Sequence, residues 1–476
     1  MLGCLSPRAK AGEEPDVPTR PARIKTKPMP VAANLMRRVL SSIADSGRTF
    51  LGSIARASLE ELCQNLVSEH GEASGTAIAR EITDRYRDLT PEQRLRFFEG
   101  LLGANWLANP DTILQLAQQY HAKPGAAELS ALFTATEPRR QELFRRINIS
   151  PYGTETIVSL RRDLLALRSE HPRLEPINAD LVHLLSSWFN RGFLEMRRID
   201  WRTSALILEK LIAHEAVHEM HGWPDLRRRL ESDRRCFAFF HPALPDEPLI
   251  FVEVALTRGI AGSIEPLIDI GSKPGEIAKA DTAVFFSINN CLAGLRNISF
   301  GAFLIKQVVQ ELESEGLRLK NFVTLSPVPR FREWLAAQQP RFPAVGDLRG
   351  LTRSALEEMP VGDSRREALR RACSVFLTVR HQDGRGDPVA AFHLNNGASV
   401  ERINWMGDRS DKGLKQSFGL MVNYAYRPQR IERNHEHYVK QGRVAASDEV
   451  RKLLEESKSA LRGVFPDFLP PKRGTR

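Results

Sequence analysis

From about Val31 to Ile212 apolar residues recur at spacings of three and four, broken by short polar turns. This stretch predicts helices almost throughout and no convincing strand. Thr90-Pro91-Glu92-Gln93 reads as a capping box with proline at the first helical position, opening a helix that runs through Phe97, Phe98, Leu101 and Leu102. Asn109-Pro110-Asp111 opens another by the same logic, and Pro138, Pro151 and Pro176 punctuate more, giving an expected six to nine helices in a bundle. After Trp223-Pro224 the period changes. Arg235 to His241 and Pro248 to Leu256 are strand-like, and Glu253 inside the second run predicts a half-exposed or polar-lined face.

A strand, loop, helix, strand unit follows between residues 282 and 331. Thr282 to Asn289 is a short β-branched and aromatic run, as a buried strand requires. Beyond the glycine-bearing turn Gly294 to Gly301, the segment from Ala302 to Leu312 places Leu304, Ile305, Val308, Val309 and Leu312 on one helical face. Asn321 to Leu325 is a second strand, and Ser326-Pro327 reads as the N-cap and first position of a further helix. A loop between strand and helix can aim unpaired backbone N–H groups at an anion, so this unit suits a pyrophosphate.

Helical stretches around 328–338, 348–358 and 363–380 then form an insertion. Pro388 to His393, Ser399 to Trp405 and Ser417 to Tyr424 return to short apolar and aromatic runs, and Gln441 to Leu461 predicts a closing helix. The expected organisation is a disordered leader over 1–30, an all-helical domain over 31–205, a mixed α/β domain over 206–465 and a tail over 466–476.

Composition narrows the class. With 476 residues there is chain for two or three domains, and no stretch approaches the roughly 18 apolar residues of a membrane span. Five scattered cysteines without a C-x-x-C pair argue for a reducing compartment, most simply the cytoplasm. The net charge of +10 is spread among acidic residues rather than gathered in a tail, which favours small anionic ligands over nucleic acid. The proline-bearing first thirty residues lack the apolar core of a secretory signal.

Among candidate chemistry, His214-Glu215-Ala-Val-His218 has the H-E-x-x-H spacing of a zinc hydrolase. Glu219 follows the second histidine directly and Trp223-Pro224 cuts the helix short, so the pattern is read as chance on a solvated helix end, with no metal expected. His393 lies between small apolar residues and an Asn-Asn-Gly turn, where a satisfied structural histidine is the default. Tyr424 and Tyr426, two apart, share one face if they lie on a strand.

Two resemblances give these residues roles. Arg296-Asn-Ile-Ser299-Phe-Gly301 resembles the Gln/Arg-x-x-Gly-x-Gly/Ala loop of the acetyl-CoA-dependent N-acetyltransferases, with Ser299 in place of the first glycine. Ser-Pro-x-Pro-x-Phe from Ser326, Pro-Val-Ala-x-Phe-His-Leu-x-Asn-Gly-Ala from Pro388, Arg-Ile-Asn-Trp-Met from Arg402 and Gly-Leu-Met-x-Asn-Tyr-x-Tyr from Gly419 together resemble malonyl-CoA decarboxylase. The likeness runs from roughly Val182 to Tyr426. It implies a helical domain followed by an acetyltransferase-like (GNAT-type) mixed α/β catalytic domain with a helical insertion.

That resemblance also implies malonyl-CoA as substrate, no cofactor, Ser326 and His393 as the catalytic pair with Tyr426 nearby, and a coenzyme loop made of Arg296, Asn297, Ile298, Ser299, Phe300, Gly301 and Ala302. It implies a homo-oligomer formed through the helical domain. His393 is the expected general acid, able to give a proton near pH 7. The rival readings are a coenzyme A-dependent acyltransferase of the same fold, a polyanion-binding protein and a zinc hydrolase.

Overall fold

The structure, a computed structural model, describes residues 59–68, 72–298, 304–378 and 386–457, with a few positions between 52 and 58. The chain divides into two compact units, Met1–Ser58 and Leu59–Arg476, and all the elements named here belong to the second. The expected leader and tail lie outside the described residues, as do Ser299, Phe300, Gly301 and Ala302.

Eight α-helices among the described residues make the first layer: α1 (Leu59–Ser68), α2 (Glu72–Arg87), α3 (Pro91–Gly100), α4 (Pro110–Ala122), α5 (Ala126–Ala135), α6 (Arg139–Ile149), α7 (Gly153–Leu167) and α8 (Glu175–Trp188). The Thr90 capping box forms with both of its hydrogen bonds, and Asn109 caps α4 by accepting from the Asp111 and Thr112 amides. Leu143, Phe144 and Ile147 of α6, Ile157, Leu160 and Leu164 of α7 and Ile177 and Leu181 of α8 are fully buried, so these three helices hold the core of the layer. By contrast α4 and α5 contain no buried residue, and Leu114, Leu129 and Phe133 stand exposed on them.

Eight strands make one sheet: β1 (Glu195–Ile199), β2 (Arg234–Phe240), β3 (Ile250–Thr257), β4 (Thr282–Asn290), β5 (Asn321–Thr324), β6 (Ser326–Pro327), β7 (Ser399–Asn404) and β8 (Met421–Ala425). Their order is β1-β2-β3-β4-β5-β8-β6, with β7 also on β8, and β4–β5 is the parallel pair in an otherwise antiparallel sheet. Every residue of β2, and all of β3 but its last, is buried, which explains why both read as continuous apolar runs. Glu253, inside β3, is 1 % exposed and bound to Arg229 Nη1 at 2.5 Å. The polar-lined face foreseen for β3 is therefore an interior contact between Glu253 and Arg229, in which burial pushes the carboxyl up and the guanidinium pulls it down.

Three expectations need correcting. β1 lies within the span expected to be helical and pairs with β2, so the sheet begins ahead of residue 206. As an edge strand with one partner it carries exposed Glu195 and Arg198, and the alternation that would have marked it is missing. Ser326-Pro327 does not cap a helix. It pairs with Val422 and Met421 of β8, and the next helix starts only at Phe331. The helix expected from Gln441 to Leu461 is shorter, Asp448–Glu456, opened by Ser447, with 458–461 outside the described residues; Gln441 instead ends a separate helix, Ile431–Gln441, closed by Gly442 in the left-handed conformation (φ 64°). The insertion is helical as expected, over Phe331–Gln338, Arg353–Glu357 and Ser364–Thr378.

Candidate active site

Ser326 and His393, 67 positions apart, meet with Oγ and Nε2 separated by 3.0 Å. On the other side of the ring His393 Nδ1 lies 2.8 Å from the Tyr426 hydroxyl. Beyond Ser326, Thr324 Oγ1 sits 2.9 Å from Oγ and accepts the Tyr424 N–H at 3.1 Å. The four side chains form one hydrogen-bonded row, Thr324, Ser326, His393, Tyr426, and none is more than 6 % exposed.

Each member is held by its own element. Thr324 ends β5, Ser326 is on β6, and both lie beside β8, whose last residue is followed by Tyr426. The segment around His393, an apolar run like the strands near it, is a helix, Pro388–Asn395. Asp387 caps it by accepting from the Val389 and Ala390 amides, and Pro388 takes the first helical position. The Asp387 carboxyl is lifted by burial to about 6, opposed by those backbone bonds. Gly397 (φ 78°) ends the segment where a Cβ would meet Ile431 O at 2.2 Å, so glycine is required both by conformation and by the close approach. His393 also stacks on Tyr424, centroids 4.6 Å apart, which fixes the ring plane.

The row lies at the wall of a cavity of about 700 Å³ whose lining includes Phe285, Ser287, Asn289, Asn297, Ser326 and His393. Desolvation depresses His393 to about 3, so the imidazole is neutral at pH 7. Of the expected coenzyme loop, Asn297 and Ile298 line the cavity, and Asn297 adopts a left-handed backbone (φ 63°) that asparagine tolerates. The Arg296 side chain is exposed and is not among the cavity residues.

The H-E-x-x-H segment has a different use. The helix Ala205–His214 ends at its first histidine, so the two imidazoles do not share a helical face, and Glu215 and His218 are buried rather than solvated. Glu215 Oε1 accepts the Val217 and His218 amides, and Oε2 accepts from Ser287 Oγ at 2.7 Å and Asn289 Nδ2 at 2.8 Å. Its carboxylate is spent on the backbone and on two cavity residues. Among the described residues no cluster of three His, Cys, Asp or Glu could hold a metal ion.

Sequence reasoning missed Thr324, Ser287 and Asn289. The signal for the last two is present: they are polar and two apart, directly after the apolar run Ala283 to Phe286. Thr324 carries no such mark, because threonine is an ordinary strand residue.

A hydroxyl, an imidazole and a phenol in series beside a cavity can pass a proton along the row, which is chemistry an enzyme could use. Residues 192–463 match the Malonyl-CoA decarboxylase C-terminal domain and residues 106–189 the Malonyl-CoA decarboxylase N-terminal domain, and the chain belongs to this family of enzymes. The crystal structure of malonyl-CoA decarboxylase from Agrobacterium vitis is similar at 45 % identity and a TM-score of 0.76, over 83 % of this chain and 99 % of that one. That from Rhodopseudomonas palustris is similar at 44 % and 0.75, over 83 % and 98 %. The mitochondrial malonyl-CoA decarboxylase of Anser anser anser is 31 % identical, over 88 % of this chain and 94 % of its own.

Proposed function

We propose that this chain decarboxylates malonyl-CoA to acetyl-CoA and CO2, with its own side chains moving the proton. The observation that carries the reading is the 3.0 Å contact between Ser326 and His393 at the cavity wall, backed by Tyr426. When the bond from the α-carbon to the carboxylate breaks, its electron pair passes into the thioester as an enolate. The reaction then needs a donor toward the developing oxyanion and one proton on carbon. Ser287 and Asn289 line the cavity near the row, held in place by Glu215.

A resting neutral imidazole changes the expected role of His393. It keeps one ring N–H but lacks the second, acidic proton at pH 7 until a negative charge arrives, and the malonyl carboxylate supplies that charge, raising the histidine's affinity for a proton. The substrate thus enters together with the proton its decarboxylation consumes. Both ring nitrogens are occupied, Nε2 by Ser326 and Nδ1 by Tyr426. The proton therefore leaves by way of Ser326, whose Oγ gives its hydrogen to carbon and takes the one from Nε2.

The catalytic half follows an acetyltransferase-like plan in this reading, supported by the parallel β4–β5 pair and by the helix Leu304–Ser314 that lies between those strands in sequence. Residues 296–302 hold the coenzyme, and the exposed apolar α4–α5 hairpin forms the contact between subunits of a homo-oligomer. The buried, unpaired Cys63, Cys236, Cys291 and Cys373 support a reducing, cytoplasmic setting, and among the described residues no helix is long and apolar enough to cross a membrane. The test is malonyl-CoA alone: acetyl-CoA and CO2 must appear in equal amounts without an acyl acceptor. A strict need for an acceptor would make the chain an acyltransferase.

A further inference from the structure

Arg161 lies in the middle of α7, in the helical layer, and is 1 % exposed. Its guanidinium reaches across to the turn that follows β4. Nη1 donates to Gly294 O at 2.5 Å and Nη2 to Arg296 O at 2.8 Å, while Nε donates to Asn178 Oδ1 at 3.2 Å. The approach is close enough that a Cβ on Gly294 would meet Val158 O of the same helix at 1.9 Å. Among the described residues no carboxylate oxygen bonds this guanidinium. Asn178 stands between it and Glu175, whose Oε1 accepts from Asn178 Nδ2 at 2.9 Å.

A buried cation without an anionic partner is costly, and an apolar side chain could have filled the same space. Here the charge sits under the start of the turn whose next residues, Asn297 and Ile298, line the cavity. With two carbonyls drawn toward α7, the peptide groups of the turn are held in one orientation. The fork geometry of arginine suits this, since two parallel N–H bonds fix both carbonyls at once.

We propose that Arg161 is a positioning residue for the coenzyme: from the helical layer it sets the turn at Gly294 to Asn297 and lends its positive charge to the coenzyme's diphosphate. The inference rests on the reading of residues 296–302 as the coenzyme loop. It gives the helical domain a part in substrate binding besides any part in assembly.

The experiment compares malonyl-CoA with malonyl-pantetheine, which carries the same reacting thioester and no diphosphate. In R161Q the KM for malonyl-CoA rises between about tenfold and a hundredfold, the scale of lost charge-assisted hydrogen bonds, while kcat and the KM for malonyl-pantetheine each shift less than about threefold. R161K, which keeps the charge on a head that cannot span both carbonyls, falls between. N178A, which removes only the Nε anchor, raises the malonyl-CoA KM by a smaller factor of about three and serves if R161Q does not fold. Equal KM increases for both substrates, or an unchanged malonyl-CoA KM in R161Q or N178A, overturns the proposal. Failure of the unaltered chain to turn over malonyl-CoA would instead sink the decarboxylase reading itself.

Discussion

Replacing His393 by asparagine changes how stability depends on pH, and the structure gives the size. In the folded chain His393 is buried and depressed to about 3, whereas in the unfolded chain it titrates near 6.5. Between those values the unfolded state binds a proton that the folded state refuses, so stability falls as pH falls through this window and levels off below it. Each pH unit costs about 1.4 kcal/mol, or roughly 5 kcal/mol over the whole window. At pH 7.5 the variant loses two hydrogen bonds and the stacking on Tyr424, about 2 to 3 kcal/mol in all.

At pH 5.0 the unaltered chain has already lost about 2 kcal/mol that the variant keeps, so the gap shrinks to about 1 kcal/mol or less, and near pH 4 it closes or reverses. His218, lowered to about 4 by burial, is present in both proteins and cancels in the difference. Urea unfolding at a series of pH values, with the two chains compared at equal m-value, reads this directly. Parallel curves from pH 7.5 to 4.5 would show that His393 keeps an ordinary pKa, and the neutral resting imidazole would go with it.

Ser326→Ala lowers kcat on malonyl-CoA by at least about a hundredfold, the usual scale of a lost proton-transfer group, while the thermal midpoint moves by only a few degrees. Normal turnover in that variant would remove Ser326 from the relay. Glu215→Ala strands two backbone amides and the Ser287 and Asn289 side chains in the interior, and costs about 3 kcal/mol or more in denaturant unfolding. A chelator leaves the unaltered enzyme's rate as it was, and a chelator-sensitive rate would revive the metal reading. Phe133→Glu, at a side chain 78 % exposed on α5, shifts the sedimentation coefficient toward the monomer without lowering stability; an unchanged assembly would place the subunit contact elsewhere.

What the sequence determined by itself is local. Proline after threonine or asparagine set helix starts at Thr90 and Asn109 because capping needs only neighbours in the chain, whereas the same signal at Asp387 was hidden in a strand-like apolar run. The runs in β2, β3 and β4 were legible because strands buried on both faces must be apolar along their length. Ser326, His393 and Tyr426 could be singled out by their family motifs, and tertiary structure alone brings them into one row, since the first two lie 67 positions apart.

Tertiary structure also decided what no local pattern encodes. Ser326-Pro327 became strand rather than cap because β8 offered unpaired backbone beside it, and β1 became strand despite its charges because the edge of β2 was free. Burial from all sides, a property of the assembled fold, took the proton off His393. Packing of α7 against the turn after β4 gave Arg161 two carbonyl partners that nothing in its own neighbourhood of sequence announces.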